Sequence, residues 1–236
     1  MKLTLAAVVM AIAAVASAPA AGRGLEPGDY IADGGWGTLT IDGKGGFSIA
    51  TVGANGHTCG LDGTLQGLTG KASPDDDPKD ACLVGFAPGA GSIDVTPKTG
   101  ETCNSYCGAR AHFDGTYLKP PAGCADAERE ATRKRFKAEY DSKAYAQAAA
   151  ALSPLLNACA RQLSWLDAAW IRNDLALTRH RLADDAGCLA ALKPLAEDAA
   201  SSDDALRENY PPSDFEDYLP IVKATRANLA LCRAGR

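Results

Sequence analysis

One six-residue phrase is written twice in this chain, and it fixes what the second half can be. Ala150-Ala151-Leu152-Ser153-Pro154-Leu155 recurs 40 residues later as Ala190-Ala191-Leu192-Lys193-Pro194-Leu195. Each copy closes an amphipathic helix that follows another helix, so the repeated unit is a helical hairpin. A single hairpin cannot bury its own apolar face, so such units stack side by side around a shared core. Periodicity predicts a first helix over 126–141, with Phe136 and Tyr140 one turn apart, and a second over 144–160, kinked at Pro154. A third starts near Ser164 and carries two apolar stripes, the mark of a helix packed on both sides. A fourth spans 185–199, where Pro194 repeats the kink. Residues 201–212 read as a linker. Ser213-Asp214-Phe215-Glu216 reads as a capping box. It opens a last helix with Tyr218, Ile221, Val222, Thr225, Leu229 and Cys232 on one face.

The first half follows another rule. Glycine is concentrated there, and it punctuates short runs at 30–32, 36–41, 47–52, 57–65, 81–86, 92–95 and 109–117. Asp42-Gly43-Lys44-Gly45-Gly46 reads as a hairpin connection. Runs at this spacing predict an antiparallel barrel or sandwich of six to seven strands. Residues 71–80 read as a solvated loop, since Asp75, Asp76 and Asp77 lack the spacing of a calcium loop. Pro120-Pro121-Ala122-Gly123 marks a boundary. The expected fold class is therefore α+β in two domains: an all-β domain over 21–119 linked by disulfides, then an all-α domain over 124–236.

Residues 1–20 read as a signal peptide. Lys2 precedes an apolar run over 3–15, and Ala18-Pro19-Ala20 offers a cleavage site. The run is too short to span a bilayer, and no other stretch is apolar enough, so no membrane insertion is expected after its removal. The chain is expected in the periplasm or secreted. Its eight cysteines, Cys59, Cys82, Cys103, Cys107, Cys124, Cys159, Cys188 and Cys232, agree: an even count in an exported chain suggests four disulfides. Alternation of stacked helices places Cys124 beside Cys159 and Cys188 beside Cys232, with a buried free thiol as the alternative for Cys188. In the β half, a cross-strand bridge between Cys59 and Cys82 and a local Cys103–Cys107 loop are one reading. A zinc site of His57, Cys59, Cys103, Cys107 and His112 is the other, disfavoured in an oxidising compartment.

The helical half resembles tetratricopeptide repeats. Arg135-Phe136-Lys137-Ala138-Glu139-Tyr140 leads through Tyr145 and Ala148 to Leu152. Leu175-Ala176-Leu177-Thr178-Arg179-His180-Arg181-Leu182 leads through Cys188 to Leu192. Ala148 and Cys188 stand where that family keeps a small crossing residue, although the glycine of its first helix is absent. The resemblance implies binding of protein or peptide on a concave face, with no cofactor. The glycine-rich half, up to the stretch Cys103-Asn104-Ser105-Tyr106-Cys107, looks like the small β-modules of bacterial periplasmic lysozyme inhibitors.

The net charge of −5 argues against nucleic acid or an anionic membrane as partner. Only His57, His112 and His180 are available as catalytic bases of that type, and no nucleophile-elbow, zinc-protease or phosphate-loop motif is present. Arg110, His112 and Asp114 would form one polar row on a strand. Arg110, His112, Trp165, Trp170, Arg172 and Asn173 are the candidate contact residues, and no metal site is expected. The function expected is that of an exported, non-enzymatic binding protein working through protein–protein contacts, as an inhibitor of or adaptor for a cell-envelope hydrolase. The alternative is an envelope hydrolase with its site between the two domains.

Overall fold

A computed structural model describes residues 24–72 and 81–235. The expected signal peptide and the Asp75–Asp77 run lie outside the described residues. Eight strands follow one another: β1 (Gly28–Ala32), β2 (Gly37–Ile41), β3 (Gly46–Val52), β4 (Thr58–Gln66), β5 (Thr69–Ala72), β6 (Cys82–Pro88), β7 (Ser92–Pro97) and β8 (Gly115–Leu118). Each pairs antiparallel with the next, and β8 returns to β1 with Ile31 opposite Leu118, so the sheet closes into a barrel with no free edge. The period of two turns Leu39 and Ile41, Phe47 and Ile49, Val84 and Phe86, and Ile93 and Val95 inward, where all are buried. With Tyr117 and Leu61 they fill the barrel, making the interior a packed core.

The barrel has more strands than the six to seven expected. The one missed, β5, reads Thr-Gly-Lys-Ala and carries none of the bulky residues that signal a strand. Its smallness has a cause across the core. Phe47 and Phe86 meet edge to face at 5.1 Å. A Cβ on Gly70 would lie 2.6 Å from one ring and 2.7 Å from the other. Gly70→Ala is therefore expected to lower stability by about 1–3 kcal/mol, read from the urea midpoint.

The barrel disulfides are Cys59–Cys107 and Cys82–Cys103, which corrects both expected pairings. A short helix, α1 (Gly100–Asn104), follows β7 and returns Cys103 to β6, while Cys107 forms an isolated bridge beside Cys59 on β4. Thr99 anchors this return, accepting the Leu83 N–H at 2.8 Å. With all four sulfurs bonded to one another, the zinc reading of His57, Cys59, Cys103, Cys107 and His112 is excluded.

Eight helices follow: α2 (Asp126–Asp141), α3 (Tyr145–Leu152), α4 (Leu155–Ala158), α5 (Trp165–Arg181), α6 (Asp185–Leu192), α7 (Ala196–Ala200), α8 (Asp203–Asn209) and α9 (Pro212–Ala234). The repeated phrase breaks in the same place twice. α3 stops at Leu152 before Pro154, and α6 stops at Leu192 before a 3₁₀ turn that holds Pro194. α5 packs against α3, α6 and α9, as a helix with two buried faces must. Ser164 caps it by accepting the Asp167 N–H. Leu152, Leu155, Ile171, Leu175 and Leu192 form the helical core. Cys124–Cys159 and Cys188–Cys232 are both bonded, so Cys188 is not a free thiol.

Residues 201–212 are more than a linker. They contain α8, held by the fully buried Leu206 and capped by Ser202. The capping box expected at Ser213–Glu216 does not form, because the cap comes from the barrel. Asn55, on a tight turn after β3, accepts the Ser213 N–H at 3.0 Å, and its own N–H donates to Asp214 at 3.1 Å. A second clamp joins the turn after β1 to the segment before α5. Gly34 N–H donates to the Arg161 carbonyl at 2.7 Å. Asp33 receives the Arg161 guanidinium at 3.1 and 2.7 Å, which holds its carboxyl below the usual range. Four disulfides are the signature of an oxidising compartment, extracellular or periplasmic. No described helix is long and apolar enough to cross a membrane.

Candidate functional site

On α2, Asp126, Arg129, Arg133, Lys137 and Tyr140 recur at steps of three or four and so share a face. On α5, Asp167, Ile171 and Asp174 do the same. α3 packs against both helices and spaces them apart. The result is a groove between α2 and α5. One part, about 180 Å³, lies over Leu155, Leu163 and Ile171. The next, about 500 Å³, lies over Phe136, Tyr140 and Asp174, and the two share Glu130 and Arg133. At its other end, Asp126 and Arg129 lead into a recess of about 340 Å³ against the barrel wall, lined by Trp36, Thr38, Val52 and Thr58. A single concavity thus runs from the barrel to the last turn of α2. Arg129 ties α2 to the segment before α5 along this concavity, donating to the carbonyls of Cys124 and Gln162 at 3.2 and 2.7 Å.

Most charges along the groove are paired within α2: Arg129 with Asp126 at 2.6 Å, Lys134 with Glu130 at 2.7 Å and Lys137 with Asp141 at 2.7 Å. Arg133 is the exception. Its Nη2 lies 3.4 Å from Asp174 across the groove, and its Nη1 is buried with no acceptor. Burial pushes the Asp174 carboxyl above the usual range, and the Arg133 charge only partly opposes it. Asp174 in the folded protein therefore holds a proton at pH values where the unfolded chain has released it. It destabilises the fold as pH rises from the ordinary carboxylate value through the raised one. Asp174→Asn is expected to flatten that part of the stability–pH profile, followed by urea denaturation at stepped pH.

The candidate residues from the sequence scatter. Arg110 and His112 lie in an exposed loop, since β8 begins only at Gly115, so the expected polar strand row with Asp114 does not exist. The His112 ring sits 4.7 Å from Trp36, and its carbonyl accepts the Thr51 hydroxyl at 2.8 Å. Trp165 is 46% exposed and stacks on Tyr210 at 5.7 Å. The hydroxyls of Tyr210 and Tyr218 both donate to Asp198. Burial, aided by Asp198, pushes Tyr210 up to about 12. Trp170 is half-buried against the cluster of Leu206 and Phe215. Asn173 is buried, donating to Thr225 at 2.9 Å and accepting from Asn228 at 3.0 Å, so its amide is occupied in joining α5 to α9. Arg172 is partly exposed on α5. His57 lies against Gly108, and His180 bonds Asp185 at 2.9 Å in the helical region. The sequence pattern places Tyr140 only beside Phe136 on a packing face; it does not mark Arg133, because α2 is charged on every side, nor Asp174 on α5.

No protein-family model matches the chain, and no curated protein or solved structure is significantly similar to it.

Proposed function

We propose that this is an exported, non-enzymatic binding protein that holds a segment of a partner polypeptide in the groove between α2 and α5. The observation that carries this is the groove itself: open, long enough for several residues, and lined by aromatic rings beside paired charges. That mixture suits an extended peptide better than a small apolar ligand. The hairpins α2–α3 and α5–α6 are read as tetratricopeptide-like units, whose resemblance implies binding on this side. The disulfides support an oxidising compartment, so the partner is sought among envelope proteins. The barrel's resemblance to periplasmic lysozyme inhibitors makes an envelope hydrolase the first class to try, with this chain as its inhibitor or adaptor. Turnover has less support, since the three histidines have separate neighbours and the groove carboxylates are mostly engaged by lysine or arginine.

The test is gel filtration of the oxidised protein equilibrated with envelope extract from its own source. One polypeptide is expected to co-elute at fixed stoichiometry, and Tyr140→Ala with Lys137→Glu should weaken it at least about tenfold, equivalent to about 1.4 kcal/mol. Equal co-elution with the double variant, or none with either, would overturn the proposal. Release of soluble fragments from cell-wall material by the purified protein would point to the hydrolase instead.

A further inference from the structure

Arg133 is poorly housed. It sits on the groove face of α2, its side chain 38% exposed, at the point shared by both parts of the concavity. Its one ion pair, to Asp174, is long at 3.4 Å. Its Nη1 is buried and bonds to nothing. A buried donor left without an acceptor is destabilising, more so on a charged group. Arg129, one turn earlier, shows the contrast, with its guanidinium held by two carbonyls and a carboxylate. The neighbouring lysines are held by Glu130 and Asp141. Among the cationic side chains lining the groove, only Arg133 has a buried nitrogen with no acceptor.

We propose that Arg133 is the anchor for a single carboxylate of the bound segment, gripped by two guanidinium N–H groups after a rotation of the side chain into the groove. This rests on the peptide-binding reading above and specifies its chemistry. The planar fork fits a carboxylate through two parallel bonds, and the rotation gives Nη1 the acceptor it lacks. Phe136 and Tyr140, one and two turns further on, supply an apolar shelf for the stem or neighbour of that acid. A doubly charged phosphate fits less well. Asp174, Glu130, Asp126 and Asp167 all line the same concavity, so a second negative charge meets repulsion that a single one largely avoids.

The experiment follows the arginine Nε–Hε signals of the ¹⁵N-labelled, oxidised protein by NMR, and Arg133 is assigned by the loss of its signal in Arg133→Lys. Three probes are titrated: N-acetylglutamate α-amide, which carries only a side-chain carboxylate; N-acetylleucine, which carries only a terminal one; and neutral N-acetylglutamine amide. The Arg133 signal is expected to shift and saturate with at least one acid and not with the neutral amide, and the responding acid tells a side-chain anchor from a chain-terminal one. Backbone amide shifts along α2 induced by that acid should weaken about fivefold or more in Arg133→Lys, which keeps the charge and loses the fork. No shift with either acid, or an equal shift with the amide, overturns the anchor. The two proposals fail separately. A polypeptide that co-elutes equally with Arg133→Lys keeps the groove and removes the anchor. Carboxylate binding with no co-eluting polypeptide keeps the anchor and removes the protein partner.

Discussion

Gly35→Ala is expected to loosen the barrel from the helices and to destabilise the protein by roughly 2–5 kcal/mol. Gly35 adopts φ +71°, a left-handed conformation that strains any side chain. It also lies flat against the segment that leads into α5. A Cβ there would sit 2.5 Å from the Leu163 carbonyl carbon, 2.7 Å from the Gln162 oxygen and closer still to the Ser164 nitrogen. These are backbone atoms at the cap of α5, so nothing flexible is present to yield. The substitution must push the turn off Arg161 and break the Gly34–Arg161 hydrogen bond. Thermal unfolding should change from one transition to two, and proteolysis near Pro120-Pro121 should accelerate. Gly43→Ala, where a Cβ meets nothing within 4 Å, is the matched control and should stay within about 0.5 kcal/mol. Equal behaviour of the two variants would show that the barrel and helices are not clamped at this turn.

Removing the Cys124–Cys159 bridge with paired alanines is expected to cost about 4 kcal/mol on the chain-entropy model, given a sequence separation of 35 residues. Both cysteines are buried, in the core with Leu155, Leu163 and Phe136, so the lost sulfurs add a packing penalty. The bridge ties the segment just before α2 to the residue that follows α4. Without it, α2 is free to move relative to α5, and the groove loses its fixed width. The urea midpoint should fall and the slope should rise, because the unlinked denatured chain exposes more surface. A loss below about 1 kcal/mol would mean that the hairpin holds itself without the staple.

How legible this was depended on the range of the contacts involved. The alternation of Leu39, Ile41, Phe47 and Ile49 is a local signal and located strands. The twofold Leu-x-Pro-Leu phrase located two helix breaks. Antiparallel alternation of helices was enough to pair Cys124 with Cys159 and Cys188 with Cys232. β5 was hidden because Gly70 is small for the sake of Phe47 and Phe86 on other strands. The barrel disulfides were misassigned because their pairing depends on where α1 returns the chain. The cap of α9 comes from Asn55, 158 residues away, so no local pattern around Ser213 reveals it. Arg133 was one charge among many on α2, and only its position opposite Asp174 on α5 distinguishes it.

The role proposed for the groove between α2 and α5 is to grip a polypeptide. Photocrosslinking tests it most directly, with benzoylphenylalanine placed either at Tyr140 in the groove or at the exposed Thr64 on the outer wall of β4. Irradiation of each form in envelope extract should give one defined adduct from position 140, containing the polypeptide that co-elutes on gel filtration, and none from position 64. Adducts of equal yield from both positions, or from position 64 alone, would contradict the claim and move the binding surface to the barrel.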